Sequence, residues 1–148
     1  MDAEDTPRLA KILLVEDSPT DALLAQEALR SAQVQSNVHL VEDGEEALAF
    51  LHGTGPYAHA PRPDLILLDW NLPKKGGLEV LQAIKTDPAL KDIPVVVLTT
   101  SQDAGDVLQA YDVHANCYVT KPVDFLQFTK VIHAIAHFWF TVATLPRR

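Results

Sequence analysis

Short apolar runs alternate along this chain with segments of helical period. Residues 11–15 (KILLV), 38–41 (VHLV), 64–69 (DLILLD), 94–98 (PVVVL) and 117–120 (CYVT) have the length of buried strands. Between the first two runs, Leu24, Ala25, Ala28, Leu29 and Ala32 share one helical face. Ser18-Pro19 precedes them as an N-cap and a proline at the first helical position. Asp43 can cap a second helix carrying Ala47, Leu48 and Leu51, with Glu46 placed for a capping box. Residues 53–63 are rich in Gly, Pro and Ala and read as a loop. Leu78, Leu81 and Ile84 mark a third helix ending near Asp87-Pro88. Val107, Leu108 and Tyr111 suggest a fourth behind a Ser101 cap. The last helix starts near Asp124, and Phe125, Phe128, Ile132, Ile135, Trp139 and Val142 form the face expected to cover the sheet.

This order is a strand followed by a helix, repeated five times. Strands apolar on both sides belong in a parallel sheet covered by helices on both faces, a doubly wound α/β architecture. A length of 148 residues fits one domain, expected at 10–148 with an extended C-terminal helix behind a flexible tail at 1–9. The composition is that of a globular chain, 47% hydrophobic and 22% charged. A net charge of −8, with the 12 basic residues scattered, argues against binding nucleic acid. Cys117 is the only cysteine, which excludes an intrachain disulfide and suits a reducing compartment. The acidic start MDAEDTPRLA is unlike a signal peptide, and no apolar run reaches the length of a membrane span. A soluble, cytoplasmic protein is expected.

Ligands of such sheets sit at the carboxyl ends of the strands. Glu16 and Asp17 follow the first strand and Asp69 ends the third. Crowded carboxylates repel, and a hard divalent cation such as Mg²⁺ relieves the repulsion by taking oxygen ligands. The fourth strand ends in Thr99 and the fifth in Thr120-Lys121. A hydroxyl and an ammonium can therefore hold phosphoryl oxygens while the Asp69 carboxylate attacks phosphorus. Each feature has a plainer reading: a solvated turn for Glu16-Asp17, a cap for Asp69, a buried strand threonine for Thr99, a loop for Lys121-Pro122. Their coincidence at successive strand ends points to a phosphoryl-acceptor site.

The segments KILLVEDSP, DLILLDWNLPKKGGLEVL, IPVVVLTTS and YVTKPVDF resemble the receiver domains of two-component response regulators, over residues 11 to about 137. The resemblance implies a flavodoxin-like (βα)5 fold and phosphorylation of Asp69 by a histidine kinase. It implies a Mg²⁺ or Mn²⁺ site made by Glu16 (through water), Asp17, Asp69 and the backbone carbonyl of Asn71. Thr99 and Lys121 match the switch hydroxyl and the phosphate-binding lysine, and Tyr118 the aromatic that swings inward on activation. The chain departs from the pattern at Lys74-Lys75-Gly76-Gly77, where an aspartate usually precedes the glycine, and at His114, where a glycine is usual. The long loop and the ending HFWFTVATLP look like the small stand-alone regulators that partner phytochrome-type histidine kinases. The output would then be a protein contact or onward phosphoryl transfer.

Two other function classes compete. A phosphate-independent pseudo-receiver would be an interaction module, which the intact acid, hydroxyl and lysine set disfavours. A metal-dependent aspartyl phosphatase would need a second aspartate two residues after the nucleophile, where Asn71 stands. The chain is therefore expected to be a phosphoacceptor that promotes its own phosphorylation and dephosphorylation, not an enzyme. Phe138, Trp139, Phe140, Val142 and Leu145 crowd the C-terminal end, more apolar surface than one sheet face needs, so a homodimer interface is expected there. His133 and His137 stand four apart, a spacing that can bind metal, but a solvated helix face is the simpler reading.

Overall fold

The computed structural model describes residues 9–146. Apart from Leu9, the expected tail lies outside the described residues. The strands are β1 (Ala10–Val15), β2 (Ser36–Val41), β3 (Leu65–Leu68), β4 (Val95–Thr99) and β5 (Cys117–Thr120). All neighbours pair in parallel, in the order β2-β1-β3-β4-β5. The helices are α1 (Pro19–Ser31), α2 (Gly44–His52), α3 (Gly77–Lys85), α4 (Ala104–Asp112) and α5 (Phe125–His137). The expected doubly wound sheet is the observed one.

Period-two alternation along the strands builds two cores. Leu13, Val15, Ile66, Leu68, Val95 and Val97 face α2, α3 and α4 with Phe50, Leu81, Ile84 and Ala110. Ile12, Leu14, Leu65, Leu67, Val96 and Leu98 face α1 and α5 with Leu29, Phe128 and Ile132. The central strands are buried on both sides, which is why they read as continuous apolar runs.

Local signals set most helix starts. Ser18 Oγ accepts from Asp21 N–H at 3.3 Å with Pro19 in the first turn. Asp43 caps α2 by accepting from Glu46 N–H at 2.8 Å. The Glu46 carboxylate reaches one residue past the expected capping box, accepting from Glu42 N–H at 3.1 Å. His114 adopts φ 72, the left-handed conformation that a glycine usually fills, and Lys74 adopts φ 64.

Several expectations need correction. The cap of α4 is Asp103, not Ser101; Ser101 Oγ instead donates to Asp106 at 2.6 Å. Ala110, a small residue, is the side chain that α4 buries, so Leu108 and Tyr111 turn outward. The Tyr111 phenol oxygen then accepts from Tyr118 N–H at 3.0 Å, covering the free edge of β5. Phe125 and Val142 are exposed rather than part of the face on the sheet. Phe125 opens the first turn of α5, while Val142 is the last residue of a π-helical turn, Phe138–Val142. That wider turn, closed by Ala143 N–H donating to Phe138 O at 2.7 Å, shifts the helical phase and carries Phe140 onto the α1–α5 core instead. His137 is exposed as expected, whereas His133 is half-buried: its Nε2 lies 3.0 Å from Ala28 O and 2.9 Å from Ser31 Oγ on α1. Among the described residues, no helix is long and apolar enough to cross a membrane.

The start of α3 presses against the end of β3. A Cβ on Gly77 would lie 2.7 Å from Trp70 Cα and 2.9 Å from Asp69 O. Gly76, by contrast, is an N-cap without a side-chain hydrogen bond, and a Cβ there meets nothing within 4 Å. Gly77→Ala is expected to lower the urea midpoint by the equivalent of about 1–3 kcal/mol with an unchanged slope. Gly76→Asp is expected to hold or raise it by about a few tenths of a kcal/mol. A Gly77→Ala midpoint equal to wild type would contradict the close approach.

Candidate functional site

The sheet order reverses between β1 and β3, and the crevice at that reversal lies at the carboxyl ends of the strands. Backbone bonds lock those ends in place. Glu16 N–H donates to Val41 O at 3.0 Å, Asp69 N–H to Val15 O at 3.1 Å and Lys121 N–H to Thr99 O at 2.8 Å. Glu16, Asp17 and Asp69 each place a carboxylate oxygen within 4.8 Å of the others. Glu16 and Asp69 are buried and Asp17 is exposed. The donors are all hard oxygens, and the exposed Asp17 side leaves room for water ligands. These residues fit a hard divalent cation in both charge and chemistry.

Lys121 enters from the loop after β5 and neutralises part of this charge. Its Nζ lies 2.5 Å from Glu16 Oε2, 3.0 Å from Asp21 Oδ2 and 3.2 Å from Asp69 Oδ2. Glu16 and Asp69 use their second carboxylate oxygens as well. Glu16 Oε1 accepts from Ser18 N–H at 3.0 Å and Asp69 Oδ1 from Asn71 N–H at 3.2 Å. Burial pushes the Glu16 carboxyl above the usual carboxylate range; Lys121 opposes that rise and the Asp69 charge adds to it. Burial alone would lower the Lys121 ammonium, but the Glu16 hydrogen bond and the charges of Asp69 and Glu16 outweigh it and hold the group above its ordinary value. Lys121 therefore stays charged.

Thr99 is fully buried at the end of β4, next to β3, and its Oγ1 accepts from Ser101 N–H at 3.5 Å. Tyr118 stands one strand further out, its hydroxyl donating to Ser101 O at 2.9 Å. Burial raises that phenol's pKa. Thr99 and Tyr118 thus meet at the Ser101 backbone, one through its N–H and the other through its carbonyl. Lys74 lies 3.5 Å from the carboxylate of Asp43, the cap of α2.

The fold brings Glu16, Asp17, Asp69 and Lys121 into one cluster and sets the Asn71 backbone against Asp69. It leaves the five C-terminal residues far from that cluster. Trp139, Phe140 and Leu145 line a depression with Leu9, Ala10 and Asp64, at the amino ends of β1 and β3. Trp139 and Phe140 also pack on the α1–α5 core, while Phe138 and Val142 are exposed. Sequence reasoning missed Asp21. Its signal was its place in the first turn of the helix that follows the Glu16-Asp17 strand end.

With this geometry in place, comparisons with known proteins agree with it. The model of the response regulator receiver domain matches residues 12–133. The chain is 48% identical over 145 residues to the response regulator Rcp1 of Synechocystis, covering 98% of this chain and 97% of that protein. It superposes on the crystal structure of the phosphorylated cyanobacterial phytochrome response regulator RcpA with a TM-score of 0.92 and 52% identity, covering 95% of this chain and 100% of that one. The Mn²⁺-bound form of Rcp1 gives a TM-score of 0.89 at 48% identity, covering 93% of this chain and 99% of that one.

Trp70 is buried directly after Asp69, so its emission should report a cation among the acids. Titration with Mg²⁺ or Mn²⁺ is expected to give a saturable change that EDTA reverses. Asp17→Asn should weaken the apparent affinity about tenfold or more, because it replaces an anionic oxygen ligand with a neutral amide oxygen. Trp139→Phe should leave the signal intact. Titrations of wild type and Asp17→Asn that overlay would remove Asp17 from the metal set.

Proposed function

The chain belongs to the response regulator receiver family, and from that premise we propose that Asp69 accepts a phosphoryl group from a histidine kinase with the help of a bound divalent cation, Mg²⁺ or Mn²⁺. The observation that carries this reading is the Asp69 carboxylate, held 3.2 Å from the Lys121 ammonium inside the acid cluster at the reversal of the sheet. A carboxylate oxygen of Asp69 attacks phosphorus, the bond from phosphorus to the donor imidazole breaks, and the departing imidazole keeps the electron pair and takes a proton. Lys121 pairs with one phosphoryl oxygen and the Thr99 hydroxyl donates to another. Glu16, Asp17, Asp69 and the Asn71 carbonyl would hold the cation, which neutralises phosphoryl charge when bound. Hydrolysis of the acyl phosphate in the same site returns Asp69 to its free state. The chain so read is a phosphoacceptor that promotes its own turnover rather than an enzyme with a separate substrate.

The phosphoryl group brings roughly two negative charges and strong acceptor oxygens. Drawing Thr99 toward it loosens the Ser101 turn that Tyr118 also holds, so the α4–β5 face is where the signal would emerge. The similarity to RcpA, a phytochrome response regulator, supports a phytochrome-type histidine kinase as the partner, and a cytoplasmic setting belongs to the same proposal. We read residues 10–148 as the receiver unit. The intact set of Glu16, Asp17, Asp69, Thr99 and Lys121 weighs against a pseudo-receiver, and Asn71 two residues after Asp69 weighs against a phosphatase.

Acetyl phosphate with Mg²⁺ is expected to label the wild type and not Asp69→Asn, and EDTA is expected to abolish labelling. Thr99→Ala should still take the label while its α4–β5 amide resonances stay near their resting positions. Undiminished labelling of Asp69→Asn would end the assignment.

The same reading includes a homodimer through the C-terminal segment. Phe138 and Val142 are 49% and 60% exposed, and burying such side chains contributes roughly 1.5–3 kcal/mol each. Because Trp139 and Phe140 support the core, the informative variant changes only the exposed pair. Sedimentation at tens of micromolar is expected to give a dimer for wild type and a monomer for Phe138→Ser/Val142→Ser. A wild type that stays monomeric with and without beryllofluoride would exclude the dimer.

A further inference from the structure

We propose that Asp21 is a positioning residue that tempers phosphoryl binding by competing for the Lys121 ammonium. The inference rests on the phosphoacceptor reading of Asp69. An ammonium has three protons, and here three carboxylate oxygens take them, from Glu16, Asp21 and Asp69. To pair with a phosphoryl oxygen, Lys121 must release one of these acceptors.

The three are not equivalent. Glu16 and Asp69 are buried members of the acid cluster, and their side chains are 4% and 10% exposed. Asp21 lies outside that cluster, on α1, with a side chain 35% exposed. Its backbone is set by the Ser18 cap, so its carboxylate reaches Lys121 from the solvent side of a rigid first turn. The chain separation is 100 residues, which makes this contact a product of the fold rather than of local sequence.

Removing Asp21 would not set Lys121 adrift, because Glu16 and Asp69 still hold its Nζ. It would remove a rival anion for the ammonium and one negative charge beside an arriving dianionic group. Asp21 therefore acts through Lys121, against phosphoryl binding. Water can satisfy a part-exposed Asp21 when Lys121 turns to phosphate, so this is the carboxylate whose release costs least.

The test is the affinity of the full chain for beryllofluoride at saturating Mg²⁺, for wild type, Asp21→Asn, Asp21→Glu and Asp69→Asn. Asp21→Asn keeps shape and removes charge; it is expected to bind about threefold to fivefold more tightly than wild type, the scale of one part-exposed charge. Asp21→Glu restores the charge and is expected to return the affinity toward wild type. The gain should shrink in molar salt, which screens an exposed charge. Unchanged or weaker binding by Asp21→Asn, equal tightening by Asp21→Glu, or a gain undiminished by salt overturns the proposal. Wild-type binding that Asp69→Asn abolishes confirms the underlying site independently. Wild type that binds no beryllofluoride defeats the phosphoacceptor reading, and this inference with it.

Discussion

Parallel strands bring their carboxyl ends to one edge of the sheet, and in this chain those ends carry Glu16, Asp17 and Asp69 within 4.8 Å of one another. The rest of the structure depends on how that repulsion is offset. Lys121 supplies the protein's own answer: its side chain is 6% exposed and bonded to Glu16, Asp21 and Asp69. A buried ion cluster is expensive because each charge loses its hydration. The cost is carried by the apolar layers beneath it, where β1, β3 and β4 are buried on both sides. A firm core thus supports an electrostatically crowded rim, which is a rim prepared to receive a cation and a phosphoryl group.

The architecture separates that rim from the other apolar surface of interest. Each helix returns antiparallel to its strand, so α5 leaves the Lys121 loop and ends at the opposite pole, near the amino ends of β1 and β3. The acid cluster and the C-terminal aromatics are consequently at opposite ends of one helix. The π-helical turn at Phe138–Val142 divides those aromatics, with Trp139 and Phe140 on the core and Phe138 and Val142 in solvent. The contact between His133 on α5 and the end of α1 ties the two helices on that face.

Thr99 and Tyr118 show how a local event can reach a surface. Neither touches the acid cluster through a hydrogen bond, yet both bond to Ser101, at its N–H and its carbonyl. Tyr111 on α4 accepts from the Tyr118 backbone. A shift of the β4 end toward phosphate would therefore disturb a turn, an edge strand and a helix that already share hydrogen bonds.

Sequence alone determined the strand–helix alternation, the parallel sheet, and the placement of Glu16, Asp17, Asp69, Thr99 and Lys121 at successive strand ends. These were legible because burial on two faces leaves unbroken apolar runs, and because caps such as Ser18-Pro19 and Asp43 act within one turn. Tertiary structure decided which side of α4 and of the C-terminal turn was buried, and which distant groups met. In α4 the sheet took the small Ala110 side and left Leu108 and Tyr111 outside. At the C-terminus one wide turn rotated Val142 away from the core. Asp21 stood in the right helical turn, but the contact that makes it a site residue is with Lys121, 100 residues away. Periodicity and capping are short-range effects, whereas the meeting of an ammonium with a particular carboxylate depends on how strands and helices pack, and no local pattern encodes that.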